Sequence, residues 1–124
     1  MASRRAQLNA RLRRYEEKYQ KLAAQLAETG YVYDGTVGRQ WLTCGKDNCA
    51  CASDPARRHG PYAYWTTKLK GRTVSRRLSL AEAQLLEVWV ENRRELERIK
   101  NEMIRLSKKV APVLLELQTH KSDA

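Results

Sequence analysis

From Leu85 to Leu117 one seam of positions recurs at alternating steps of four and three: Leu85, Trp89, Asn92, Leu96, Ile99, Met103, Leu106, Val110, Val113 and Leu117. Only a helix keeps that period on one face, so a large part of the chain is committed before anything else is read. Ser79-Leu80-Ala81-Glu82 supplies a capping-box start. Pro112 removes a backbone donor, so the helix is expected to kink or end near Val110. The acid-to-base neighbours Glu91/Arg94, Glu95/Arg98, Glu97/Lys100 and Glu102/Arg105 sit off the seam and mark a solvated face.

Leu8, Leu12, Tyr15, Tyr19, Leu22 and Leu26 repeat the pattern near the start, predicting a helix from Ala2 to Glu28 that Thr29-Gly30 stops. At ~1.5 Å per residue the first helix is about 40 Å long and the second up to about 58 Å. They can pair over most of the shorter one, and the overhang, expected around Val110 to Leu117, needs another partner. The seam residues Asn92, Leu96, Ile99, Met103, Leu106, Val110, Val113 and Leu117 are the candidate oligomerisation surface, with Asn92 as a buried amide that sets register, and a homodimer is expected.

Between the helices the period drops to two. Gly35–Thr43 reads as a strand; Tyr62–Leu69 and Arg72–Leu78 read as a hairpin around Lys70-Gly71. A two-residue turn sets Leu69 opposite Arg72, Trp65 opposite Arg76 and Ala63 opposite Leu78. One face then collects Ala63, Trp65, Leu69, Val74 and Leu78 for packing; the other collects Tyr62, Tyr64, Lys68 and Arg77. The expected organisation is a basic helix (1–30), a β module (31–79), a heptad helix (80–118) and a disordered tail (119–124). The fold class is α+β: two long antiparallel helices with a small three-stranded, zinc-stapled β insertion.

The module's staple is read from its cysteines. Cys44, Cys49 and Cys51 lie within eight residues, an odd number that argues against a disulfide framework, and a Cys49–Cys51 bridge would be strained. With His59 they form C-x4-C-x-C-x7-H, the ligand set of a closed structural Zn2+ site. The alternative is three reactive or buried thiols beside an unrelated His. Metal is the better reading, because a module with so few large apolar residues needs a staple to fold. Four protein ligands leave no open position, which weighs against catalytic zinc.

The segments Gly35-Thr36-Val37, Cys44-Gly45-Lys46, Cys49-Ala50-Cys51-Ala52, His59-Gly60-Pro61-Tyr62-Ala63-Tyr64 and Gly71-Arg72-Thr73-Val74, followed by a Leu-rich helix, resemble a small prokaryotic family of unknown function. Its signatures are C-G-K-x-x-C-x-C-A and H-G-P-Y-x-Y, and the resemblance covers about residues 33–110. Cys44, Cys49, Cys51 and His59 match it one for one; the spacer Ala52–Arg58 is longer than the family's and adds Arg57-Arg58. Members are often encoded beside mobile genetic elements and transposase genes, which implies a setting of DNA transactions.

Charge points the same way. The formal net charge is +10. Residues 1–30 carry seven basic and three acidic groups, residues 31–79 nine and three, and residues 80–124 eight and eight. The surplus therefore belongs to the first helix and the β module. Arg4, Arg5, Arg11, Arg13 and Arg14 on the helix, and Arg57, Arg58, Lys68, Lys70, Arg72, Arg76 and Arg77 around the module, suit phosphate contacts; Tyr62 and Tyr64 add stacking. No recognition helix follows His59, so phosphate-dominated binding is expected.

No P-loop, Gly-rich dinucleotide fingerprint, Ser/His/Asp set or carboxylate cluster off the helical face is present, and an enzyme is not expected. No apolar run approaches the ~18 residues that cross a bilayer, and no signal-like stretch follows Met1-Ala2-Ser3-Arg4-Arg5, so a cytoplasmic chain is expected. Two functions of different class follow. One is a non-enzymatic, zinc-containing DNA-binding accessory of a mobile element, with a transposase or recombinase as protein partner. The other is a coiled-coil adaptor whose zinc knob docks a protein.

Overall fold

The computed structural model describes residues 3–122, and the order of elements is the expected one. Helix α1 (Arg4–Glu28) is followed by strands β1 (Thr36–Leu42), β2 (His59–Leu69) and β3 (Arg72–Leu78), then helix α2 (Leu80–Ser122). The residues fall into two compact units. One comprises the chain up to Thr29 together with Arg94 onward; the other is Gly30–Arg93.

In the first unit α1 and the later part of α2 pack antiparallel. Arg4 donates from Nε and Nη2 to the two Glu116 oxygens at 2.8 and 3.0 Å, and Arg98 Nη2 donates to Gln25 Oε1 at 3.3 Å. Ser3 caps α1, its hydroxyl accepting from the Ala6 N–H. The α1 seam is the inner face: Leu8 is buried, and Leu12, Tyr15, Leu22 and Leu26 are half-buried, while Tyr19 is left exposed. On α2, Ile99, Leu106 and Val113 are buried, and Leu96, Met103, Val110 and Leu117 are half-buried. Leu8 and Ile99 are the largest fully enclosed side chains, each contributing about 1.5–3 kcal/mol through removal from water.

This pairing corrects the expected overhang. The start of α1 lies beside the end of α2, where Arg5 and Asn9 line one groove with Leu114, Leu117 and Gln118. The seam residues Val110, Val113 and Leu117 are therefore packed within the chain, so the seam assigned to oligomerisation is intrachain packing, while Leu114 and Leu115 beside it stay exposed. The helix also continues through Pro112 to Ser122, into the segment expected as tail; residues 123–124 lie outside the described residues. One missing hydrogen bond is outweighed by the seam residues buried on either side of it.

In the second unit the sheet order is β1-β2-β3, antiparallel throughout. The hairpin register is the expected one: Leu69 opposes Arg72, Trp65 opposes Arg76 and Ala63 opposes Leu78. Lys70 (φ 52°) and Gly71 (φ 79°) make the left-handed two-residue turn that such a hairpin requires. Leu78, Ala83 and Leu86 form the core, with Tyr33, Val37, Ala63, Trp65 and Trp89 packed against it. Leu69 and Val74 were expected on this packing face, but they are 62% and 39% exposed, because the helical cover stops short of the turn.

The seam also changes in this unit. Leu85 is 49% exposed, whereas Ala83, Leu86 and Val90 are buried. The first turns of α2 face a sheet instead of a helix, so the stripe that is buried is a different one. The connection Tyr31–Gly35 is fastened to α2: Tyr33 N–H donates to the Trp89 carbonyl at 3.1 Å, and Arg93 donates to the carbonyls of Tyr33 and Gly35 at 3.2 and 3.3 Å. Tyr31 and Tyr33 pack against Trp89 with tilted rings, 5.4 and 6.3 Å between ring centres.

Candidate metal centre

The sheet itself brings the first and last cluster residues together. Leu42 at the end of β1 opposes His59 at the start of β2, with a bulge between Gln40 and Leu42. Cys44 follows β1 by two residues, so it and His59 emerge side by side. Gly60 makes this junction: its φ is +134°, and a Cβ there would meet the Gln40 carbonyl oxygen at 2.7 Å. The intervening loop folds back through two single turns of 3-10 helix, Ala50–Ala52 and Pro55–Arg57. Cys49 N–H bonds the Lys46 carbonyl at 3.2 Å, and Ala52 N–H bonds the Cys49 carbonyl at 3.1 Å, turning Cys49 and Cys51 inward.

The four ligand atoms lie within 4.8 Å of one another. Cys44 Sγ is 3.5 Å from Cys51 Sγ, and Cys49 Sγ is 3.4 Å from His59 Nε2. Sulfurs about 2.3 Å from a tetrahedral zinc sit about 3.8 Å apart, so the cluster is already close to the size a metal needs. Cys51 is buried, Cys49 and His59 are half-buried and Cys44 is exposed. The Cys44 N–H points at Cys51 Sγ at 3.4 Å, the kind of backbone donor that supports a metal thiolate.

The thiols are electrostatically unequal. The backbone N–H of Cys51, followed by the Cys51 thiol, His59 and Cys44, holds the Cys49 thiol down to about 6 from 9.0. For Cys51 the strongest influence is the lowering Cys44 N–H, but burial and the thiols of Cys49 and Cys44 outweigh it and raise the group. One thiolate therefore forms readily, while another needs a cation to displace its proton.

The basic residues separate into paired and unpaired sets. Arg39 and Arg76 project from the helix-facing side of the sheet and pair with Glu87 and Glu82 of α2. Arg57 lies 3.6 Å from Asp54, and Arg4 is held by Glu116. Arg58, Lys68, Lys70, Arg72 and Arg77, and on α1 Arg5, Arg11, Arg13 and Arg14, are exposed and have no carboxylate partner among the described residues. Arg77 lies over the Tyr62 ring at 4.0 Å, and Arg76 at 5.9 Å from the Trp65 ring centre. Arg4 and Arg76 thus have local work that the sequence did not reveal, because each partner lies on α2. Among the described residues, no helix is long and apolar enough to cross a membrane.

A helical pair and a three-stranded sheet closed at one end by a Cys3His cluster define a small α+β protein with a metal-ligand set. A family model, the domain of unknown function DUF6788, matches residues 5–87, and the chain belongs to that family. The match takes in α1 from Arg5, the whole sheet, the cluster and the start of α2; it extends further toward the N-terminus than the motifs at 33–110 and stops earlier in α2. No curated protein and no solved structure matches the chain.

Proposed function

We propose that the Cys3His cluster holds one structural Zn2+ and that the module it closes binds DNA, mainly through phosphates, without catalysing a reaction. One observation carries this reading. The three strands contain six basic or imidazole residues and no Asp or Glu, and of the three helix-facing arginines Arg39 and Arg76, which lie under the helix, are neutralised by Glu87 and Glu82, while Arg72 at the turn is not. Lys68 and Arg77 on the opposite side, with Lys70 and Arg72 at the turn, keep uncompensated charge in which phosphates release their counterions. Arg5, Arg11, Arg13 and Arg14 on α1 form a second group of the same kind. The motif resemblance supports DNA as the polyanion and an accessory role in transposition or recombination, with a transposase or recombinase as protein partner.

The test is binding of a labelled DNA duplex across a salt series. Affinity should fall steeply between low and moderate salt. Lys68→Ala or Arg77→Ala should each reduce the log–log salt slope by roughly 0.9, while Arg76→Ala leaves it unchanged. Absence of DNA binding at low salt refutes the reading.

The adaptor reading is favoured by a different observation. α2 carries a second apolar stripe in the first unit, where Ile104, Leu114 and Leu115 are 45%, 43% and 63% exposed. A second copy or another helix packed there would remove it from water. Light scattering of the wild type against Leu115→Glu separates a dimer from a monomer, and nuclease treatment of a lysate before pull-down separates protein partners from DNA-bridged ones.

A further inference from the structure

The open face of the sheet carries more than charge. Register and alternation set Gly38, Tyr64 and Arg77 in one row across the three strands, with Gln40 and Tyr62 in the next row and Thr36, Thr66 and Ser75 on the other side. Lys68 and Thr73 form the row beyond. Arg77 leaves its own row: its guanidinium lies over Tyr62 at 4.0 Å. Tyr64 is therefore flanked by a glycine on one side and, on the other, by an arginine whose charged end is turned away to Tyr62; Tyr64 is half-buried, and its ring pairs with no other ring or guanidinium among the described residues.

Gly38 has no reason of its own to be glycine. Its φ is not in the left-handed region, and a Cβ there would meet nothing within 4 Å. A glycine inside a strand weakens it, and one whose missing side chain leaves open space is suited to close approach of a ligand. The resulting notch beside Tyr64 has a flat aromatic wall, hydroxyl neighbours, a guanidinium pinned on Tyr62 and the ammonium of Lys68 two rows away. The strands bring no carboxylate to this face; Asp34, just before β1, lines the groove at its far end with Thr36, Thr66, Lys68 and Thr73 and is bonded by the Thr67 hydroxyl.

Resting on the phosphate-binding reading above, we infer that this face is a stacking platform for single-stranded DNA, with one unpaired base on the Tyr64 ring over Gly38 and the flanking phosphates on Arg77 and Lys68. A duplex keeps its base faces stacked inward and cannot use the ring; a single strand presents them, and a phenol stacks on any base. Complementary charge holds the backbone on the same face.

The experiment compares a labelled single-stranded thymine oligonucleotide of about 16 nucleotides with a blunt duplex of equal length, at one salt concentration, by fluorescence anisotropy. Wild type, Tyr64→Leu and Gly38→Val are measured together with their Tm values. The wild type should bind the single strand about tenfold or more tighter than the duplex. Each substitution should lower single-strand affinity by about fivefold or more and leave duplex affinity within about twofold. Gly38→Val should hold or raise Tm, because valine is the better strand residue, so its loss of binding cannot be unfolding. Equal affinity for the two forms, or a single-strand preference that survives Gly38→Val, overturns the platform and leaves the phosphate reading standing. Binding of neither form overturns both.

Discussion

The Asn92 side-chain amide donates to the Tyr31 carbonyl at 2.8 Å, and a Cβ placed on Gly30 would come within 2.9 Å of the same nitrogen. The one polar step of the long seam is therefore occupied by the chain's own connection between α1 and β1, not by an Asn on a second copy. Asn92→Ala should cost about 1 kcal/mol, the usual worth of such a bond. Urea denaturation would show a lower midpoint at constant slope. The mass in solution should not change; a change of oligomeric state would return Asn92 to the role its heptad position suggested.

Leu85 and Leu86 are adjacent leucines with opposite fates, 49% and 6% exposed. Leu86 belongs to the core under the sheet, so Leu86→Ala should destabilise by about 2–4 kcal/mol. Leu85→Ala should cost less than about 0.5 kcal/mol, as a surface change. Comparable losses at the two positions would mean that the strict heptad, which selects Leu85, describes the packing after all.

That pair also marks how far the sequence could be read. Periodicity identifies a helix and its apolar positions, but the face a helix turns inward depends on what lies against it. From Leu96 onward the neighbour is another helix and the heptad positions are the inner ones. Between Ala83 and Val90 the neighbour is a sheet, and the buried set rotates. The hairpin register followed from the Lys70-Gly71 turn alone, so Trp65 opposite Arg76 was legible. The position of β1 was not, because a sixteen-residue excursion from Thr43 to Arg58 separates it from β2 and no turn fixes its register. Gly38 beside Tyr64, and Arg39 against Glu87, were therefore invisible in the sequence. The cluster was legible in full, since the spacing of Cys44, Cys49, Cys51 and His59 depends on chemistry more than on register.

Glu82 closes the cap of α2 from both sides. Its carboxylate accepts from the Ser79 N–H at 3.1 Å and from Arg76 at 2.9 Å, while its own N–H donates to the Ser79 hydroxyl at 3.1 Å. The Ser79 N–H first, then Arg76 and the Ser79 hydroxyl, hold the carboxyl below its ordinary 4.5. A group lowered on folding stabilises the protein fully above its unfolded value and loses that contribution as pH falls through the folded one, because the unfolded chain takes up the proton first. Glu82→Gln keeps the capping geometry and removes the charge. The variant should be less stable than wild type at neutral pH and should converge with it in acid. A difference that persisted unchanged below the folded value would show that the charge contributes nothing.

If Zn2+ occupies the Cys3His cluster, binding and proton release are one event. Cys49 already loses its proton near 6, but Cys51 is raised, so the metal must displace a proton from the buried thiol. Zinc titrated into the metal-free protein at neutral pH should therefore release protons into a weakly buffered solution, and acidification should expel the metal. Purified protein should carry about one zinc per chain, since four ligands complete one tetrahedral site. Removing it with a chelator should expose three thiols to a thiol reagent and melt the sheet, because the loop from Gly45 to Arg58 has only its short 3-10 turns to hold it in place. Cys51→Ser should do the same without chelator, and Cys44→Ser should weaken binding, leaving two thiolates and the imidazole. Protein with well under one zinc, whose stability ignores both chelator and Cys44→Ser, would show that the four residues meet for another reason.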